Sequence, residues 1–127
     1  MVSIEIDPAV RRLRALNPWS QPFLHDEGIE KLEGDSEQFI SGFEAGSFDA
    51  VLHDPPRFSL AGRLYGADFC RELCRMLRPG GRLMFYTGEP YRSGRGRDFV
   101  GGVGRRLSEA GFKARWRRPL QAFVCRK

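Results

Sequence analysis

Strand-like and helix-like apolar patterns alternate along most of this 127-residue chain, and that alternation points to an α/β architecture with a parallel sheet. Residues 2–6 read as a short strand stopped by Asp7-Pro8, and Val10, Leu13 and Leu16 mark a helix from Pro8 to about Leu16. Residues 17–22 read as a loop, because Pro18 and Pro22 oppose helix continuation. A second strand spans 29–33 and ends at Gly34-Asp35; a helix over 36–43 and a third strand over 48–53 follow. Past a Pro-Pro turn, residues 68–77 form a helix with Phe69, Leu73, Met76 and Leu77 on its buried side. Arg78-Pro79-Gly80-Gly81 ends it, and 82–87 is a fourth strand. A glycine- and arginine-rich loop over 88–97, a helix from about Asp98 to Ala110 capped by Gly111, and strands at 112–117 and 122–125 complete the pattern. Gly101, Gly102 and Gly104 should weaken the first turns of that last helix.

The length allows one domain, 1–127, and 41% hydrophobic residues supply an ordinary core. No apolar run approaches the roughly 18 to 20 residues of a membrane span, and the acidic start is unlike a secretory signal, so a cytoplasmic protein is expected. Cys70 and Cys74 lie one helical turn apart and Cys125 stands near the end. Without a C-x-x-C pair, and with His25 and His53 as the only histidines, no zinc spacing assembles and no metal is expected. The cysteines read as small apolar packing residues in a reduced compartment. Charge is split: residues 1–56 hold four bases against eleven acids, the remainder 17 bases against five acids. Two readings of the basic half stay open, contact with a polyanion such as RNA and a solvated arginine surface.

Ligands of an open parallel sheet bind beyond the carboxyl ends of its strands, and three strands here end in an acid: Glu5 or Asp7, then Asp35, then Asp54. Each could cap a helix, but three in succession also suit ribose hydroxyls and an exocyclic amine. In that order they resemble the class I S-adenosylmethionine-dependent methyltransferases. Residues 2–7 resemble the second strand of that family, whose terminal acid binds the cofactor's ribose; Glu5, with Asp7 beside it, holds that place. Gly34-Asp35 is similar to the third-strand motif, where the acid and the next backbone amide, here of Ser36, contact adenine. Leu77-Arg78-Pro79-Gly80-Gly81-Arg82-Leu83 resembles the family's turn into its fifth strand. The resemblance covers the whole chain and implies a Rossmann-like methyltransferase sheet with antiparallel C-terminal strands, and S-adenosylmethionine as cofactor.

Phe48-Asp49-Ala50-Val51-Leu52-His53-Asp54-Pro55-Pro56 is similar to the fourth-strand motif, which makes Asp54, Pro55 and Pro56 the expected catalytic residues. In enzymes that methylate nitrogen, the acid and the first proline's carbonyl accept hydrogen bonds from the target amine, and the prolines present no competing N–H. The reaction is a displacement on an activated donor, so positioning and desolvation supply most of the catalysis. The nitrogen-methylating pattern continues with an aromatic residue; here Arg57 stands there and Phe58 follows, both candidate substrate contacts. Asp-Pro-Pro-x-Phe resembles RNA base methyltransferases, and Asp54-Pro55-Pro56-Arg57-Phe58-Ser59 resembles predicted archaeal methyltransferases. Arg92, Arg95, Arg97, Arg105 and Arg106 lie where a substrate loop could run, as RNA contacts or as solvated surface.

A complete domain of that family opens with a strand and a glycine-rich loop, and no such motif occurs in these 127 residues. In the family order 3-2-1-4-5-7-6 the first strand is central, so its loss leaves unpaired edges. Three outcomes follow: an N-terminally incomplete domain, a smaller closed sheet, or a gap filled by a second copy or another protein. The expected function is methyl transfer to RNA or another nucleophile as part of a longer or partnered protein, with the isolated chain inactive. The alternative is a degenerate methyltransferase-fold module that holds RNA or a partner subunit.

Overall fold

Val2–Glu5 (β1) and Glu30–Glu33 (β2) pair in parallel in the computed structural model, which describes residues 1–56, 58–88 and 95–127, with backbone alone over 95–98. They belong to the first of two compact units, Met1–Gly42. Between them lie Pro8–Leu16 (α1) and Gln21–His25 (α2). Asp7 opens α1: its side chain accepts from the Ala9 N–H at 2.7 Å, and Pro8 follows in the first turn, where a missing N–H costs nothing.

The stretch read as a loop, 17–22, is instead a 3-10 turn at Pro18–Ser20 that runs into α2. Pro18 and Pro22 each occupy a first-turn position, so they start helices instead of preventing them, and Asn17 caps the first through the Trp19 N–H at 3.0 Å. Ser36–Ile40 (α3) follows β2 and is shorter than the pattern implied, because the chain turns at Ser41-Gly42.

The second unit, Phe43–Lys127, is built on a four-stranded sheet. Its strands are Phe48–His53 (β3), Leu77–Tyr86 (β4), Lys113–Arg117 (β5) and Ala122–Arg126 (β6), in the order β3-β4-β6-β5. β3 and β4 are parallel; β6 runs antiparallel to both β4 and β5. The β1-β2 pair and the β3-β4-β6-β5 sheet each match a stretch of the methyltransferase strand order. The chain is therefore a mixed α/β protein of Rossmann-like methyltransferase class with antiparallel C-terminal strands.

β4 starts earlier than expected. Its register against β3 shifts between Phe48↔Leu77 and Ala50↔Arg82, so Pro79-Gly80-Gly81 is taken up as a bulge, with Gly80 at φ 77°.

Ala67–Met76 (α4) and Arg95–Glu109 (α5) cover one face of this sheet. Phe69 of α4 packs on His53 of β3 at 5.0 Å between ring centroids, while Gly104 of α5 lies against the Phe123 ring of β6. Phe69, Leu73, Met76, Leu77, Leu83, Phe85, Leu107 and Phe123 form the core, and Cys70, Cys74 and Cys125 are buried as free thiols within it. Burial pushes Cys70 up to about 11, Cys125 up to about 12, and Cys74 upward too, which makes all three packing groups and not nucleophiles. Gly111 ends α5 at φ 106°, with the Phe112 N–H returning to the Leu107 carbonyl at 3.0 Å. Among the described residues no helix is long and apolar enough to cross a membrane, and no cluster of metal-binding side chains occurs.

Candidate functional site

The expected site residues fall in both units. In the first, β1 and β2 end side by side: Glu5 pairs in register with Glu33, and the Gly34 N–H donates to the Glu5 carbonyl at 3.1 Å. Gly34 takes φ 146°, a conformation open to glycine, with the Phe39 ring against its α-carbon. This turn brings Asp35 and Ser36 to the same carboxyl edge as Glu5.

Asp35 caps α3, its Oδ1 accepting from the Glu37 N–H at 2.9 Å. Glu5 is half-buried; its Oε1 accepts from the Asp7 N–H at 3.0 Å and its Oε2 from Arg14 at 3.3 Å. Asp7 itself serves as the cap of α1. A carboxylate offers about four lone-pair sites, so Glu5 and Asp35 each keep acceptor capacity beyond these bonds. That donor-and-acceptor set fits the ribose and adenine of a nucleoside cofactor; a cradle for the methionine end is not found in the described unit. A shallow pocket of about 200 Å³ adjoins Glu5 over the α1–α2 face of the strands, lined by Ser3, Arg14, Phe23, Lys31 and Glu33 among others. Ion pairs Arg11–Glu33 and Arg14–Glu5 cross it.

The second unit presents Asp54-Pro55-Pro56 at the carboxyl end of β3. Asp54 is exposed, and among the described residues neither its carboxylate nor the Pro55 carbonyl receives a hydrogen bond. The Pro56 carbonyl is occupied, accepting the Tyr65 O–H at 2.8 Å. Two acceptors on adjacent residues thus stay available while the third anchors the turn. Phe58 is half exposed and packs on Tyr65 at 5.6 Å and on Phe99 at 5.0 Å. Arg57 lies outside the described residues.

Beneath the turn sits a pair of residues that the sequence reading did not assign. His53, the last residue of β3, is buried and bonds through Nε2 to the Leu64 carbonyl at 3.0 Å. Desolvation lowers its pKa from 6.5 to about 4, against a smaller upward pull from that bond, so the ring is neutral and donates from Nε2. Tyr65 closes the 3-10 turn Gly62–Tyr65, with its ring against His53, Phe58, Phe85 and Phe99. Burial first, then the nearby Asp54 and Tyr86, raise its pKa to about 12, which keeps the hydroxyl a donor. The available signal was the adjacency of His53 to Asp54 and its place one alternation from Val51 on the buried face.

The arginine group divides. Arg106 donates from Nε to the Tyr65 carbonyl at 2.7 Å, tying α5 to the turn under the motif. Arg105 is exposed. Arg92 and the side chains of Arg95 and Arg97 lie outside the described residues.

No protein-family model matches the sequence. The strand order within each unit is that of the class I S-adenosylmethionine-dependent methyltransferase fold, and solved structures agree in fold. A spermidine synthase in complex with the transition-state analogue AdoDATO superposes with a TM-score of 0.75 at 16% identity, covering 98% of this chain and 44% of that one. An S-adenosylmethionine-dependent methyltransferase from Mesorhizobium loti gives 0.59 at 16% identity, over 99% and 80%. By sequence, an uncharacterized protein of Methanocaldococcus jannaschii is 46% identical over 112 residues, covering 88% of this chain and 38% of its own length. A polyamine aminopropyltransferase of Mycobacterium tuberculosis is 33% identical over 103 residues, covering 72% of this chain and 18% of its own length. The chain thus spans well under half of either relative.

Proposed function

We propose that this chain is the acceptor-side part of a cytoplasmic S-adenosylmethionine-dependent methyltransferase acting on RNA or another nucleophile. One observation carries it: the Asp54 carboxylate and Pro55 carbonyl are both open at the end of β3, on a turn that Tyr65 holds through Pro56. The Asp54 carboxylate accepts a hydrogen bond from the incoming nucleophile and the Pro55 carbonyl accepts a second, which aligns its lone pair. Pro55 and Pro56 offer no N–H to compete. Phe58 supplies an apolar face beside the nucleophile, with Arg57 the adjoining charged contact. In the first unit Glu5 takes the ribose hydroxyls, with Asp7 beside it; Asp35 and the Ser36 N–H take adenine. The cofactor, when bound, supplies an activated methyl group.

The relatives favour a second reading, aminopropyl transfer to a polyamine, which the same pair of acceptors would serve by orienting an amine. The test is label transfer from methyl-labelled S-adenosylmethionine, using the protein as produced in its native cell. Label entering cellular RNA, and lost in Asp54→Ala, supports the proposal. Absence of methyl transfer to RNA, protein and small-molecule nucleophiles, alongside aminopropylation of polyamines, overturns it in favour of the second reading. Salt-sensitive RNA binding without any transfer overturns it in favour of a non-catalytic module.

A further inference from the structure

We infer that Arg106 of α5 is a positioning residue for group transfer, setting the Asp54-Pro55-Pro56 turn through Tyr65. The inference rests on the acceptor role given above to Asp54 and Pro55, whichever group is transferred. It takes Arg106 out of the arginines open to RNA and gives it a task inside the second unit.

The last carbonyls of a helical turn have no partner within it and need donors from elsewhere. The 3-10 turn Gly62–Tyr65 ends this way, and two other elements supply the donors. His53 of β3 donates to the Leu64 carbonyl at 3.0 Å, and Arg106 of α5 donates from Nε to the Tyr65 carbonyl at 2.7 Å. Two consecutive peptide units are thus held, one from the sheet and one from the helix, and they set the backbone from which the Tyr65 side chain leaves. That side chain is 2% exposed and walled by the rings of His53, Phe58, Phe85 and Phe99, so it follows its backbone. Its hydroxyl donates to the Pro56 carbonyl at 2.8 Å. Pro55 and Pro56 have fixed φ angles, so a shift at that carbonyl carries to Pro55 and Asp54.

The Arg106 side chain is laid down for this bond. Its guanidinium lies over Gly102, one turn back along α5, where a Cβ would stand 3.3 Å from Nη1. Gly102 is buried and Arg106 half-buried, whereas Arg105 beside it is exposed. The bond is charge-assisted and therefore short and directional. A misplacement of about 1 Å at a reacting group costs on the order of a hundredfold in rate, so the position of the turn matters on the scale that this bond controls.

Two substitutions of matched length separate the bond from the charge. Glutamine carries an N–H donor at the chain position of the arginine Nε; methionine has the same reach and no N–H. Both are made in the whole protein as produced in its native cell, and transfer is followed with methyl-labelled and, separately, aminopropyl-labelled donor. Arg106→Met should lower kcat about tenfold or more with KM nearly unchanged, and Arg106→Gln should restore kcat to within about threefold of the unsubstituted protein. In the 127-residue chain isotope-labelled at tyrosine Cζ, the Tyr65 resonance, identified by its loss in Tyr65→Phe, should move in Arg106→Met and keep its place in Arg106→Gln. A raised KM in both variants with a shallower salt dependence returns Arg106 to RNA contact and overturns the inference. Where Arg106→Met loses its far-ultraviolet spectrum, Arg106→Gln still decides, because a phosphate contact raises its KM and the positioning bond does not. Equal kcat in all three proteins, equal loss in both variants, or a Tyr65 resonance indifferent to Arg106→Met overturns the inference alone. An unsubstituted protein that transfers neither group overturns the acceptor reading first, and this inference with it.

Discussion

His53 and Tyr65 pack beneath the Asp54-Pro55-Pro56 turn, and each gives a measurable consequence. His53 is held neutral by burial, with a folded-state pKa of about 4 against 6.5 when unfolded. Between those values the unfolded chain binds the proton that the folded chain refuses, so stability falls as pH drops from about 6.5 toward 4 and levels off below. The full effect is about 3 kcal/mol. Urea unfolding across that range should show this slope in the native chain, and a pH dependence reduced by His53→Phe; an unchanged slope in the variant would place the titration elsewhere. Tyr65→Phe keeps the ring packing but leaves the Pro56 carbonyl without its donor. It should cost about 1 kcal/mol, read as a lower urea midpoint at constant m-value. On the proposed function, the same change should also slow methyl transfer, because it loosens the turn that carries Asp54.

Glycines inside α5 show how one residue type can mean opposite things on two faces of a helix. An added Cβ at Gly101 meets nothing within 4 Å, whereas at Gly104 it would stand 3.0 Å from the ring of Phe123. That ring is buried and packed against Trp116 at 5.2 Å, so it has little room to give. Gly101→Ala should therefore stabilise the chain by up to about 1 kcal/mol through helix propensity alone. Gly104→Ala should lie about 1–2 kcal/mol below it, the propensity gain being offset by overpacking. Thermal melts of the two variants decide this; equal shifts would mean that the helix can move off β6.

The sequence pattern exposed α5 as a weak helix but could not say that Gly104 is where it touches the sheet, because that depends on the tertiary contact. The same holds at Pro18 and Pro22, which read as breakers until the caps around them are known. α4 was legible because period and burial coincide there, while β3 was legible as a short apolar run before the Pro-Pro turn although its Leu52 is exposed. Glu5, Asp35 and Asp54 were legible as strand-end acids, and the structure places each at such an end. The support of that third site by Tyr65 was not legible, since its bond to Pro56 spans a loop with no periodic pattern.

At the scale of the molecule the two units are unequally built. Among the described residues sixteen apolar ones are buried, and of these only Ile40 lies in Met1–Gly42. A segment of that size with one buried side chain gains a few kcal/mol from burial at most, against ordering costs that grow with every residue. The ladder between β1 and β2, the caps at Asp7 and Asp35 and the ion pairs Arg11–Glu33 and Arg14–Glu5 shape this unit more than they stabilise it, since surface pairs contribute little. Hydrogen exchange should therefore separate the units. Protected amides of β4 and β6 should exchange only through global opening, while those of β1 and β2 exchange through local opening, roughly a hundredfold faster or more. Similar protection in both would show that Met1–Gly42 opens only with the rest. Added S-adenosylmethionine gives the sharper contrast: if Glu5 and Asp35 hold its adenosine part, saturating cofactor should slow exchange in β1 and β2 by the factor 1 + [L]/Kd and leave β4 and β6 much less changed. Glu5→Ala should abolish that slowing, and slowing that survives the substitution would move the nucleoside site away from this strand end.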